Sequence, residues 1–123
     1  MEVIILDSNI LIDILKGRQD TINTVQAITS PLSISSITAM ELIIGARNKL
    51  EVSKLEKFID LFEILHIDSR ISTLAIQLIT QYAKSHTLDI PDSLIAATAL
   101  TNRAQLLTLN KKDFQFIPNL VLY

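Results

Sequence analysis

Four carboxylates fall where a mixed strand-and-helix protein would hold a reactive site. Asp7 follows the apolar run Val3-Ile4-Ile5-Leu6 and precedes a hydroxyl, Ser8, and an amide, Asn9. Asp92 comes directly after Pro91, at the head of an apolar stretch rich in alanine. Asp113 follows Leu106-Leu107-Thr108-Leu109 within the segment Asn110-Lys111-Lys112-Asp113-Phe114. Glu41 shares helical spacing with Ile37, Met40 and Ile44, which puts a carboxylate on an apolar stripe. Acids at helix starts also cap helices and complement helix dipoles, so Asp7, Asp92 and Asp113 each have a structural alternative. The alternative for Glu41 is a capping box with Thr38. A helix that starts near Ile37 argues against it, because Glu41 then lies beyond the third helical position.

Carboxylates that converge on one point cannot all stay ionised unaided, since like charges raise one another's pKa. A hard divalent cation, Mg²⁺ or Mn²⁺, resolves this with oxygen ligands and retained waters. Such an ion activates water and neutralises charge on a phosphodiester, so the chemistry implied is metal-assisted phosphoryl hydrolysis. Other chemistries lack their residues. The chain has no cysteine, and His66 and His86 have no zinc-ligand spacing. There is no G-x-S-x-G elbow and no glycine-rich phosphate loop. Asp13, Asp20, Glu51, Glu56, Asp60, Glu63, Asp68 and Asp89 read as solvated or turn residues.

The elements that must position these acids follow from patterning. Short, aliphatic and β-branched runs predict strands at 2–6, 32–35, 63–67, 106–109 and 120–123. Helices are predicted at 9–16, 19–29, 37–48, 52–62, 70–85 and 91–103. The clearest is 70–85, where Ile71, Leu74, Ala75, Leu78, Ile79 and Tyr82 keep an i, i+3, i+4, i+7 spacing. The helix after Pro91 is apolar nearly all round, as a central helix would be. Strands that alternate with helices predict an α/β fold, a three-layer arrangement with a central parallel sheet of about five strands flanked by helices. Sites in such sheets form beyond the carboxyl ends of the strands. Asp7, Asp92 and Asp113 all obey that rule.

Composition bounds the function. At 123 residues the chain reads as a single domain, residues 1–123. Apolar residues make up 49% and charged residues 20%; the charged share is below the usual value of about 25%. That excess predicts apolar surface shared with another chain, a homodimer partner plus a groove for a peptide. No run is long enough to span a membrane, and the start does not read as a signal peptide. Together with the missing cysteines this fits a cytoplasmic protein. A net charge of −2 excludes a broad cationic face, but a bound metal can reverse a local field, so a nucleic-acid substrate remains open.

Four segments, Leu6–Asp13, Ala39–Ala46, Asp92–Leu100 and Leu106–Phe114, resemble in order and spacing the motifs of PIN-domain ribonucleases. The likeness is greatest to VapC-type toxins of toxin–antitoxin pairs and covers essentially the whole chain. The resemblance implies an acidic pocket binding Mg²⁺ or Mn²⁺. It implies that Asp7, Glu41 and Asp92 are the regular acids and Asp113 the variable fourth, with Asn110 as the alternative at that position. Asn9 matches an asparagine that orders the site, and Thr108 matches a hydroxyl residue of the last motif. Ser8 stands where the family more often has threonine. The activity implied is endoribonuclease cleavage of RNA by metal-activated water, restrained by a cognate antitoxin. Lys111, Lys112, Arg47 and Lys49 are the candidate RNA-steering cations; each also reads as an ordinary solvated residue. Two other readings stand beside this one: a catalytically silent module that grips RNA or protein, and a DNA-directed metal nuclease.

Overall fold

The computed structural model describes residues 2–123. Among these residues there are five strands: β1 (Ile4–Leu6), β2 (Leu32–Ser35), β3 (Glu63–Leu65), β4 (Gln105–Leu107) and β5 (Val121–Leu122). Six helices lie between the first four strands, two in each connection: α1 (Ser8–Leu15), α2 (Gln19–Gln26), α3 (Ser36–Ile44), α4 (Lys49–Ile59), α5 (Ser69–His86) and α6 (Ile90–Thr101). A single 3₁₀ turn covers Lys111–Asp113. The strands form one sheet in the order β3-β2-β1-β4-β5, and every pairing is parallel. The expected α/β class and five-stranded parallel sheet are therefore observed.

The centre of the sheet is buried on both faces, which is why β1 reads as a continuous apolar run; β2 is mostly buried too but alternates Leu32 and Ile34 with Ser33 and Ser35. Successive residues of a strand point to opposite faces. Ile5 and Leu106 pack with Ile71, Leu78, Ile95 and Phe114, under α5 and α6. Ile4, Leu6 and Leu107 pack with Ile10, Leu11, Ile34, Leu42 and Ile59, under the helices α1, α3 and α4. Small residues let α6 lie close to the sheet: Ala96, Ala97 and Ala99 are wholly buried.

The order of strands creates the place for a site. From β1 the chain moves outward to β2 and β3, then returns to put β4 on the other side of β1. The β1/β4 boundary is thus the topological switch point, where the connections leave in opposite directions and open a crevice at the carboxyl edge.

Several boundaries differ from expectation. The helix expected over 37–48 stops at Ile44, and the one expected over 52–62 begins earlier, at Lys49. The reason is local capping. Gly45 closes α3, and the Asn48 side chain accepts the Glu51 N–H at 2.9 Å to open α4. Helix α6 begins at Ile90, one residue before Pro91.

Candidate active site

Asp7 is the residue that ends β1 and caps α1. Its backbone N–H continues the β1–β4 ladder by donating to Leu107 O at 2.9 Å. Its carboxylate accepts the Ser8 N–H at 2.8 Å through Oδ1. Through Oδ2 it accepts the Thr108 hydroxyl at 2.8 Å and the Asn9 amide at 3.3 Å. Only 4% of Asp7 is exposed. Burial pushes its carboxyl pKa up, and the bonds from Thr108 and Ser8 hold it back.

Thr108 and Asn9 lock the end of β4 to the end of β1. Asn9 donates to Thr108 Oγ1 at 3.3 Å, while its own Oδ1 accepts the Leu109 N–H at 3.2 Å. Thr108 Oγ1 also accepts the Asn110 N–H at 3.0 Å. The loop toward Asp113 therefore leaves the sheet from a fixed point. Asn110 is tied into that network through its backbone. Asp113 lies close enough for its charge to raise the pKa of both Asp7 and Asp92.

Ser8 does more than follow a cap. Its hydroxyl lies 3.5 Å from Asp7 Oδ1 and 3.3 Å from Glu41 Oε1, so it joins the first acid to the second. Glu41 differs from expectation in its surroundings. The buried face of α3 is Thr38, Ala39 and Leu42; Met40 is 51% and Ile44 83% exposed. Glu41 thus stands at the exposed rim of the crevice, not within the core. The N-cap of α3 is Ser35, whose Oγ accepts the Ile37 N–H at 3.1 Å, so no capping box involves Thr38. Partial desolvation nonetheless raises the Glu41 pKa, with smaller contributions from Asp7 and Asp89.

Asp92 occupies the first turn of α6, half-buried. Its pKa is pushed up to about 7, first by burial, then by the charges of Asp89, Asp7, Asp113 and Glu41. Asp89 was not expected here. It is the N-cap of α6, accepting the Asp92 N–H at 2.9 Å, and its charge also reaches Glu41. The clue in the sequence was an acid three residues before Asp92 and two before a proline, the spacing of a cap.

Five carboxylates thus share one electrostatic neighbourhood, in which the proton affinities of Asp7, Glu41 and Asp92 are raised. Among the described residues no three Asp, Glu or His side chains are placed to hold an ion by themselves. That donor set is all oxygen, anionic and loosely gathered. It suits a hard divalent cation that keeps several waters, and it does not suit zinc.

The cations are distributed unevenly. Lys111 and Lys112 are exposed on the 3₁₀ turn that carries Asp113. Lys49 is exposed at the start of α4. Arg47 is engaged instead: its Nε lies 2.9 Å from Glu51 Oε2, the only ion pair among the described residues. It also lines a groove of about 550 Å³ between α1, α3 and α4. Ile12, Leu15, Leu42 and Leu55 give the groove apolar walls, and Glu41 stands at its edge.

This combination of switch-point crevice and gathered acids has close parallels. Residues 4–118 match the sequence profile of the PIN domain. The chain belongs to the PIN domain family, in its VapC ribonuclease branch. It is similar to Ribonuclease VapC1 of Methanocaldococcus jannaschii, with 34% identity over 91% of this chain and 79% of that one. It is also similar to the tRNA(fMet)-specific endonuclease VapC of Salmonella typhimurium, with 32% identity over 94% of this chain and 92% of that one. Among solved structures it resembles a toxin–antitoxin complex from Klebsiella pneumoniae, with a TM-score of 0.81, 33% identity, and coverage of 95% and 94% of the two chains.

Proposed function

We propose that the protein is a divalent-metal-dependent endoribonuclease, the toxin of a toxin–antitoxin pair. The observation that carries this is Asp92, a carboxyl raised to about 7 by burial and four neighbouring acids. Such crowding is costly to a fold, and a bound cation relieves it. The printed names of the similar proteins, ribonucleases and a toxin–antitoxin complex, support the same reading.

In this reading Asp7 and Asp92 would hold Mg²⁺ or Mn²⁺. Glu41 and Asp113 would reach it through water. When bound, the cation supplies a more acidic water and offsets charge on the scissile phosphate. The chain's own residues do the rest. Thr108 and Asn9 hold the Asp7 carboxylate in one orientation. Glu41, at the rim, would orient water and take up a proton. Lys111 and Lys112 attract the phosphate backbone.

The antitoxin would lie in the apolar groove that ends at Glu41, which would let it cover the acids. Exposed apolar side chains elsewhere, Ile76 at 64% and Ile90 at 67% among them, support a homodimer. The proposed place of action is the cytoplasm; no helix among the described residues is long and apolar enough to cross a membrane.

The test is to express the wild type and Asp92→Asn in cells and sequence the RNA ends that appear. New ends carrying a 5′-phosphate, present only with the wild type, are the expected result. Identical RNA ends in both strains would refute the assignment.

A further inference from the structure

An aromatic cluster stands outside the acid pocket and is used by nothing described so far. His86, the last residue of α5, stacks on Phe116 with ring centroids 4.2 Å apart and planes 19° from parallel. Tyr82 meets His86 edge-on at 5.6 Å and Phe116 at 5.1 Å. Ser85 Oγ lies 2.8 Å from His86 Nδ1, so the imidazole is held from a third direction.

Tyr82 and Phe116 pack onto the core beneath. His86 does not share that role, because it is exposed. Its ring is nevertheless held flat on Phe116. Fixing an exposed side chain costs rotamer entropy and contributes little burial in return. The chain also takes up an unfavourable backbone to turn here. Thr87, β-branched, has φ 53°, a left-handed conformation that such residues rarely adopt.

The location links this surface to the acids. Residues 87–89 fold α6 back against α5, so His86 lies at the end of α6 that carries Asp89 and Asp92. Phe116 is three residues beyond Asp113. Exposed Lys84, Lys111 and Lys112 lie on the same two segments, and none forms an ion pair among the described residues. The groove lined by Arg47 and Leu55 belongs to other helices, α1, α3 and α4.

We infer that the exposed ring of His86, backed by Phe116 and Tyr82, is a stacking platform for one unpaired base of the RNA substrate. Flat rings beside cations recognise single-stranded nucleic acid in this way: the cations track the phosphates and each base offers a π-face. This inference rests on the nuclease reading above and names a subsite for its substrate.

The test measures binding in EDTA, by fluorescence anisotropy, of a short labelled single-stranded RNA. A matched set of probes carries one abasic ribonucleotide at each position in turn. His86→Ala is expected to weaken binding of the intact RNA on the order of tenfold. His86→Tyr, which keeps a flat ring, is expected to restore it. The wild type should lose affinity at one abasic position, and His86→Ala should be indifferent to that position. Unchanged binding by His86→Ala overturns the platform, and so does an equal loss with intact and abasic probes. Mn²⁺-dependent cleavage of the same RNA separates the two proposals. A wild type that neither binds nor cuts RNA removes the nuclease reading itself; a wild type that does both while His86→Ala matches it removes only the platform.

Discussion

Asp7 and Thr108 face one another across the switch point of the sheet, 101 positions apart in sequence and joined by a 2.8 Å hydrogen bond. One residue ends β1 and the other follows β4, the two strands between which the chain reverses its winding. The bond favours the ionised form of a buried carboxyl, so it opposes the desolvation that burial imposes. It therefore couples the closure of the sheet to the charge state of the proposed metal ligand.

Replacing Thr108 by Val removes that donor at nearly constant volume. Asp7 keeps its burial and loses its shortest side-chain partner, so its pKa should rise further. The expected cost is roughly 1–3 kcal/mol in EDTA near neutral pH, because the bond is charge-assisted and buried. Mn²⁺ affinity, read by calorimetry, should fall on the order of tenfold. Thr108→Ser should keep both properties. Unaltered stability in Thr108→Val would show that the hydroxyl is replaceable.

Ser8 is expected to matter for activity and hardly at all for folding. Its hydroxyl contacts with Asp7 and Glu41 are long, 3.5 and 3.3 Å. Ser8→Ala should change stability by less than about 0.5 kcal/mol. It should lower kcat/KM by a few-fold and up to about tenfold, since Glu41 loses the contact that favours its ionised form. Ser8→Thr should retain wild-type rates. A full-rate Ser8→Ala would mean that Glu41 is positioned without it.

Asn9 ties the loop after β4 to the start of α1, and hydrogen exchange can read this directly. The Leu109 N–H is bonded to Asn9 Oδ1, and Asn9→Ala should make that amide exchange faster. Asn9→Asp keeps an acceptor for Leu109 but loses the donor to Asp7 and adds a negative charge. It should preserve the protection and still impair cleavage. Loss of protection in both variants would point to general loosening of the loop.

The order and type of the elements were legible because their patterns are strong. The stripe from Ile71 to Tyr82 admits only one buried face for α5, and four aliphatic residues before Asp7 suit a strand covered on both sides. The surroundings of Glu41 were not legible. Spacing alone placed it with Met40 and Ile44 on the buried side, but α3 buries Thr38, Ala39 and Leu42 and leaves those larger side chains exposed. Which stripe of α3 faces inward is set by its neighbours in the fold, a property of tertiary packing. Arg47 was similarly hidden: its pairing with Glu51 depends on the Gly45–Asn48 link that separates two helices. The network of Asn9, Thr108 and Leu109 depends on which strand neighbours β1, which only the sheet order decides.

Asp92 should leave its mark on the pH dependence of stability. Its pKa rises from an ordinary 3.8 to about 7 in the folded chain. The folded protein thus holds a proton where the unfolded chain has released it. Without metal, the resulting stabilisation is complete below the ordinary value and is lost as pH climbs through about 7. The melting temperature in EDTA should accordingly fall between about pH 4 and about pH 7 and level off above. Asp92→Asn should flatten much of that slope and melt higher than the wild type at the alkaline end. Some slope should persist, because Asp7 and Glu41 are raised as well. Metal reverses the sign. Mn²⁺ must displace the Asp92 proton, so its affinity should strengthen as pH rises, with proton release detectable by calorimetry in buffers of different ionisation enthalpy. An Asp92→Asn protein with an undiminished slope and undiminished proton release would place the shared proton on another acid.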